Sequence, residues 1–219
     1  MQIIPALIVH DDDAKNDFEE LKSRFSRIQP ILASLGGWIQ LDITDGKFVP
    51  AMTYLMWDEI RFFTQAAQVD LHLMVQNPET MIDKWIVTKP ARITFHIEAT
   101  KKPEEIIAAC RAAGVGVGIA LNPETPFSSI QHLTLDIDLL LFLGVRPGRG
   151  GQAFIPEVME KIKSLSTSGI DLTHVKIGVD GGVNGEIARA LKSANVDVIM
   201  VGDYLFSSDD ISSRVVSLR

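Results

Sequence analysis

Eight short apolar runs, each followed within a few residues by a helical pattern or a turn, predict an α/β fold: a single (β/α)8 TIM barrel spanning residues 1–219. Length agrees, because 219 residues suit one large domain, and no charge block or Gly/Ser/Pro-rich linker marks a seam. Polarity agrees as well. In WIQLDIT the apolar Ile39, Leu41 and Ile43 alternate with Gln40 and Asp42, and the runs LHLMV, RITFHI and VKIGVD repeat the pattern with His72 and Met74, Thr94 and His96, and Lys176 and Asp180. With the apolar set packed on outer helices, Gln40, Asp42, His72, His96 and Asp180 point inward, at or near the carboxyl ends of strands where barrel chemistry gathers.

The elements follow in order. A strand over residues 2–8 leads to the acidic cluster Asp11–Asp13, which suits a helix start before the amphipathic DFEELKSRFSRIQPIL. After Gly36 and Gly37 comes the strand from Trp38, a long loop, and a helix over 57–67. Strands at 71–75 and 92–97 alternate with helices in PETMIDKWIV and PEEIIAACRAAG. A strand at 116–121 precedes a short helical stretch after Pro126. The apolar LLLFL at 139–143 precedes the Gly-rich loop GVRPGRGGQAF and the helix PEVMEKIKSLSTS. The last two units are a strand at 175–179 with GEIARALKSA, and a strand at 198–201 with a terminal helix.

Composition limits the partners. A formal net charge of -7 excludes a broad nucleic-acid or membrane surface, so any anionic ligand must be held locally. Cys110 is the only cysteine and sits in an apolar helical pattern, which makes it packing rather than a nucleophile. No apolar run approaches the roughly 20 residues of a spanning helix, and the amino terminus lacks a signal-peptide pattern, so a cytoplasmic, soluble protein is expected.

Two acids and a histidine delivered by three strands could hold a divalent metal through carboxylate oxygen and imidazole nitrogen. The same residues also fit satisfied core or rim positions, since no HxxxH or CxxC spacing ties them to an ion. As a pair, the two acids could act as general base and general acid on opposite sides of a bound sugar. For an anion, Gly148, Gly150 and Gly151, then Gly181 and Gly182, then Gly202 place glycine after three consecutive strands, and such loops commonly form a barrel's phosphate site.

The combination resembles the ribulose-phosphate 3-epimerase family along nearly the whole chain. The motifs are DITDGKFVP at 42–50, HLMV at 72–75, FHIE at 95–98, LNPETP at 121–126, VRPGRGGQ at 145–152 and VDGGV at 179–183. The resemblance implies carbohydrate metabolism and inversion at C3 of a ketopentose 5-phosphate, D-ribulose 5-phosphate to D-xylulose 5-phosphate. Asp42 and Asp180 would be both acid/base residues and metal ligands, with His72 a further ligand of one zinc, iron or manganese ion. The phosphate would lie against Gly148, Gly150, Gly151, Gly181, Gly182 and Gly202, and Met74 would contact substrate. A homo-oligomer is implied too.

Several positions depart from the family pattern. The metal-binding histidine is Gln40, whose amide oxygen is a weaker, neutral donor. Ala6 replaces a substrate-contacting serine, Thr44 and Leu143 replace two methionines, and Ala51 replaces an asparagine. Asp203 stands where a small residue follows the last strand's glycine, while Arg146 and Arg149 enter the neighbouring loop, where either could pair with a carboxylate or contact phosphate. Two readings stay open: an epimerase with an altered site, and a non-catalytic family member that binds a sugar phosphate or a protein partner. A related barrel lyase or decarboxylase would resemble a D-x-K-x-x-D strand, and position 44 is not lysine.

Overall fold

The structure is a computed structural model that describes residues 1–8, 17–53 and 55–219. The acidic cluster Asp11–Asp13 lies outside the described residues. Eight parallel strands close into a barrel in sequence order: β1 (Gln2–Leu7), β2 (Trp38–Thr44), β3 (Gln68–Met74), β4 (Arg92–His96), β5 (Gly116–Leu121), β6 (Leu139–Leu143), β7 (Lys176–Asp180) and β8 (Val198–Val201), with β8 returning to pair with β1. The helices are α1 (Asp17–Leu32), α2 (Trp57–Ala66), α3 (Ile82–Ile86), α4 (Pro103–Ala112), α5 (Pro156–Ser164), α6 (Gly185–Ser193), α7 (Asp203–Phe206) and α8 (Ile211–Ser217).

The alternation in each strand sorts side chains into two apolar layers. One packs strands against helices and includes Leu41, Leu71, Leu73, Ile93, Phe95, Val117 and Ile119 with Phe25, Ile28, Phe63 and Leu191. The other fills the barrel interior with Ile4, Ala6, Ala120, Leu139, Leu141, Leu143, Val198 and Met200. Most inward side chains of β2 to β4 are polar, Trp38 and Met74 apart, and those near the strands' amino ends form a buried cluster. Arg92 donates from Nε and Nη2 to Asp70 Oδ2 at 3.1 and 2.7 Å, Thr94 donates to Asp70 Oδ1 at 2.7 Å, and the guanidinium lies 4.8 Å over Trp38.

Two local expectations change. Strand β3 begins three residues before residue 71, because Asp70 finds its counter-charge on the neighbouring strand. The stretch after Pro126 forms only 3-10 turns, Phe127–Ser129 and Gln131–Asp136, so the fifth unit lacks an α-helix. In the third unit, a 3-10 turn at Pro78–Thr80 precedes the five-residue α3.

Candidate active site

Strand register brings the site together. Asp42 pairs with His72 across β2 and β3, Thr44 with Met74, and Leu143 with Asp180 across β6 and β7. Asp42, His72 and Asp180 converge so that one ligand atom from each lies within 4.8 Å of the others, a group that could hold a metal ion. His72 Nδ1 stands 3.0 Å from Asp42 Oδ1 and 3.5 Å from Asp180 Oδ2.

Gln40 lies beneath these three, with no exposed surface. Its Nε2 donates to Asp42 Oδ1 at 2.9 Å and to Asp180 Oδ2 at 2.7 Å, so one neutral amide bridges both acids. Its Oε1 is buried without a partner. The donor set therefore fits a cation through Asp42, His72 and Asp180, and Gln40 could join only by exchanging the two ends of its amide.

Burial sets the protonation. The Asp180 carboxyl is pushed up to about 7 by burial and by the Asp42 charge, against the opposing pull of His72 and the Gln40 hydrogen bond. Burial would push His72 down, but the Asp42 hydrogen bond and the charges of Asp42 and Asp180 outweigh it and hold its imidazole above the ordinary value. Burial lowers His96 to about 4, assisted by the His72 charge and opposed by Glu98.

Asp42, His72 and Asp180 open onto a cavity of about 620 Å³ also lined by Ala6, Met74, Leu143, Gly148, Arg149, Gly150, Gly151, Gly181, Gly182, Gly202 and Asp203. Of the expected site residues, Gln40 does not line it. Thr44 does not either, because its hydroxyl lies 3.0 Å from that of Thr53. The DGKFVP turn is held by Asp45, which accepts from the backbone N–H groups of Lys47, Phe48 and Gln76. Burial pushes the Asp45 carboxyl up, yet those three donors outweigh it and keep it below the usual carboxylate range.

The glycine-lined end has a physical requirement for glycine. Gly181 has φ +95° and a Cβ there would come 2.4 Å from Val145 Cγ2; at Gly182, with φ +69°, it would come 2.6 Å from the Phe154 nitrogen. In the first turn of α6 the Glu186 and Ile187 N–H groups are already taken by Asn184 Oδ1. Asp203 opens α7 with its carboxylate turned towards the glycine-rich loop: a Cβ on Gly151 would stand 3.6 Å from Asp203 Oδ2. Arg146 pairs with Glu124 at 3.1 Å, while Arg149 lines the cavity.

Sequence reasoning assigned no role to Glu98. It follows β4, accepts from the Asn122 backbone N–H at 2.8 Å, and stands 3.4 Å from His96 Nδ1. The sequence signal was the motif FHIE, which puts an acid two residues beyond an inward histidine.

The sequence model of the "Ribulose-phosphate 3 epimerase family" matches residues 14–206. The chain is 33% identical over 204 residues to a ribulose-phosphate 3-epimerase of Mycobacterium tuberculosis, covering 91% of this chain and 89% of that protein. It is 32% identical over 222 residues to one of Schizosaccharomyces pombe, covering 100% and 92%. Among solved structures, 3-hexulose-6-phosphate synthase from Salmonella typhimurium superposes with a TM-score of 0.71 at 14% identity, covering 100% of this chain and 96% of that one. A mutant tryptophan synthase alpha-subunit from Pyrococcus furiosus gives 0.69 at 16%, covering 99% and 97%. At such identities the structures establish the barrel alone, whereas the family match and the similarity across whole sequences establish that the chain belongs to the ribulose-phosphate 3-epimerase family.

Proposed function

We propose that this chain is an isomerase that inverts C3 of a ketose 5-phosphate, D-ribulose 5-phosphate to D-xylulose 5-phosphate, with Asp42 and Asp180 as the paired acid/base groups. The observation that carries the reading is the two carboxylates, held with His72 at the floor of a cavity whose other end is lined by glycine backbone. Asp42 Oδ1 accepts from Gln40 and faces His72, which leaves Oδ2 to take the C3 proton. Asp180 Oδ2 is likewise engaged by Gln40, so a proton on this acid rides on Oδ1. In the metal-free site an acid pushed up to about 7 is about half protonated at neutral pH, and the proton it carries can be delivered to the opposite face of the planar carbon. In the reverse direction the two exchange roles.

The phosphate is assigned to the backbone around Gly148, Gly150, Gly151, Gly181, Gly182 and Gly202, with Arg149 above it, and Met74 covers the sugar. Asp42, His72 and Asp180 would hold one zinc, iron or manganese ion, with Gln40 in reserve; the chemistry such an ion would supply is Lewis-acid polarisation of the C2 carbonyl and of the enediolate oxygens. In deuterium oxide, ribulose 5-phosphate should acquire deuterium at C3 in NMR spectra when folded protein is supplied with one of these metals. No incorporation with any of them would rule the reading out for that substrate.

One observation favours a second reading. The Gln40 amide bridges both acids and occupies one oxygen of each, an arrangement suited to a family member that binds a sugar phosphate without turnover. Saturable binding of ribulose 5-phosphate by calorimetry, with no C3 exchange, would select it.

A further inference from the structure

His72 uses one ring nitrogen towards the aspartates. Its other nitrogen, Nε2, lies 2.9 Å from His96 Nε2. Ring centroids are 5.0 Å apart and the planes differ by 22°, so with this nitrogen-nitrogen distance the imidazoles meet edge to edge, with a proton between them. Both rings are buried, and His96 is held from another side by Phe48, 4.8 Å away between centroids.

The direction of that hydrogen bond follows from Glu98. A carboxylate facing His96 Nδ1 requires a proton there, because two acceptors would otherwise oppose each other out of contact with water. The 3.4 Å separation is long and out of line, so the contact is electrostatic rather than a well-formed hydrogen bond. Glu98 is itself fixed by the Asn122 backbone N–H. A neutral His96 protonated at Nδ1 has a bare Nε2, which can only accept. His72 must therefore donate from Nε2.

We propose that Glu98 and His96 are positioning residues, a carboxylate-imidazole relay that accepts from His72 Nε2–H, so that the nitrogen His72 gives up to a cation is Nδ1, whose proton Asp42 Oδ1 holds in the cation-free site. Without an acceptor at position 96, neutral His72 would favour the other tautomer, with Nδ1–H donated to Asp42 Oδ1 at 3.0 Å and its lone pair turned away from the two acids. The relay thus fixes in advance which imidazole nitrogen a cation takes, in exchange for the Nδ1 proton. Its consequence for metal affinity rests on the metal-assisted reading above; the tautomer itself does not.

Long-range proton-nitrogen correlation spectra of the full-length protein, 15N-labelled at histidine, read the ring protons directly, first with chelator and then with zinc. The expected result is His96 protonated at Nδ1 and bare at Nε2 in both samples, and zinc-loaded His72 protonated only at Nε2. A proton on His96 Nε2 would overturn the relay. In zinc titrations by calorimetry, His96→Phe should weaken binding about 10- to 100-fold, the range seen when a metal ligand loses its outer partner. His96→Gln, which offers Oε1 as an acceptor, should recover most of the loss. Equal affinity in all three proteins, or an equal loss in both variants, would refute the positioning role. If His96→Phe does not fold, the spectra of the unmodified protein decide. If that protein takes up no zinc yet shows the expected His96 tautomer, the metal reading fails and the relay stands.

Discussion

Replacing Gln40 by leucine removes the amide that joins the two acids while keeping a buried side chain of similar size. Two hydrogen bonds to carboxylates are lost, at 2.9 and 2.7 Å, and the partnerless Oε1 disappears with them. With both acids ionised, two charge-assisted bonds contribute about 3–6 kcal/mol and removal of the orphaned oxygen returns about 1–3, so the variant should be destabilised by roughly 2–4 kcal/mol at pH 9. Asp180 makes this loss depend on pH. Its carboxyl is raised from 3.8 to about 7, so the folded protein keeps a proton that the unfolded chain releases. That contribution is complete below about pH 4, falls as pH rises to about 7, and is level above. In Gln40→Leu a bond that restrains the shift is gone, and the decline should continue beyond pH 7. At pH 5 Asp180 is protonated in both proteins and one of the two bonds is neutral, so the penalty should be smaller by about 1–2 kcal/mol. Urea unfolding of chelator-treated protein at pH 5 and pH 9 measures both values. The same penalty at the two pH values, or a variant more stable than the original at pH 9, would refute the bridging role.

Gln40→His should raise metal content after dialysis, because imidazole is a stronger donor than an amide; equal content by elemental analysis would count against position 40 as a ligand. Gly181→Ala should cost roughly 2–4 kcal/mol in thermal or urea unfolding, from a positive φ combined with a Cβ driven into Val145.

The barrel was legible because its strands carry a period-two pattern and the register does the rest. Asp42 and His72 were both readable as inward from alternation alone, and the β2–β3 register makes them neighbours. The glycines were legible for a similar reason, recurring after three successive strands. Asp70 and Arg92 were not. In sequence Gln68, Val69 and Asp70 look like the approach to a strand, and only the pairing of β3 with β4 shows that Arg92 meets the charge of Asp70 inside the barrel. Gln40 was legible as an inward amide in place of a histidine, but the end of the amide that faces the acids depends on donors and acceptors from three strands. Glu98 lies past a strand end, where alternation carries no information, and its position depends on the Asn122 backbone of the next unit.

The most direct test of the two-acid account is to follow C3 deuterium incorporation and epimer interconversion by NMR, starting separately from ribulose 5-phosphate and xylulose 5-phosphate, in the original protein, Asp42→Asn and Asp180→Asn. The account predicts that the original protein labels and interconverts both sugars, and that each variant loses interconversion by about 10²- to 10⁴-fold, the usual contribution of one positioned acid/base group. Either variant interconverting the two sugars at the rate of the original protein would contradict it.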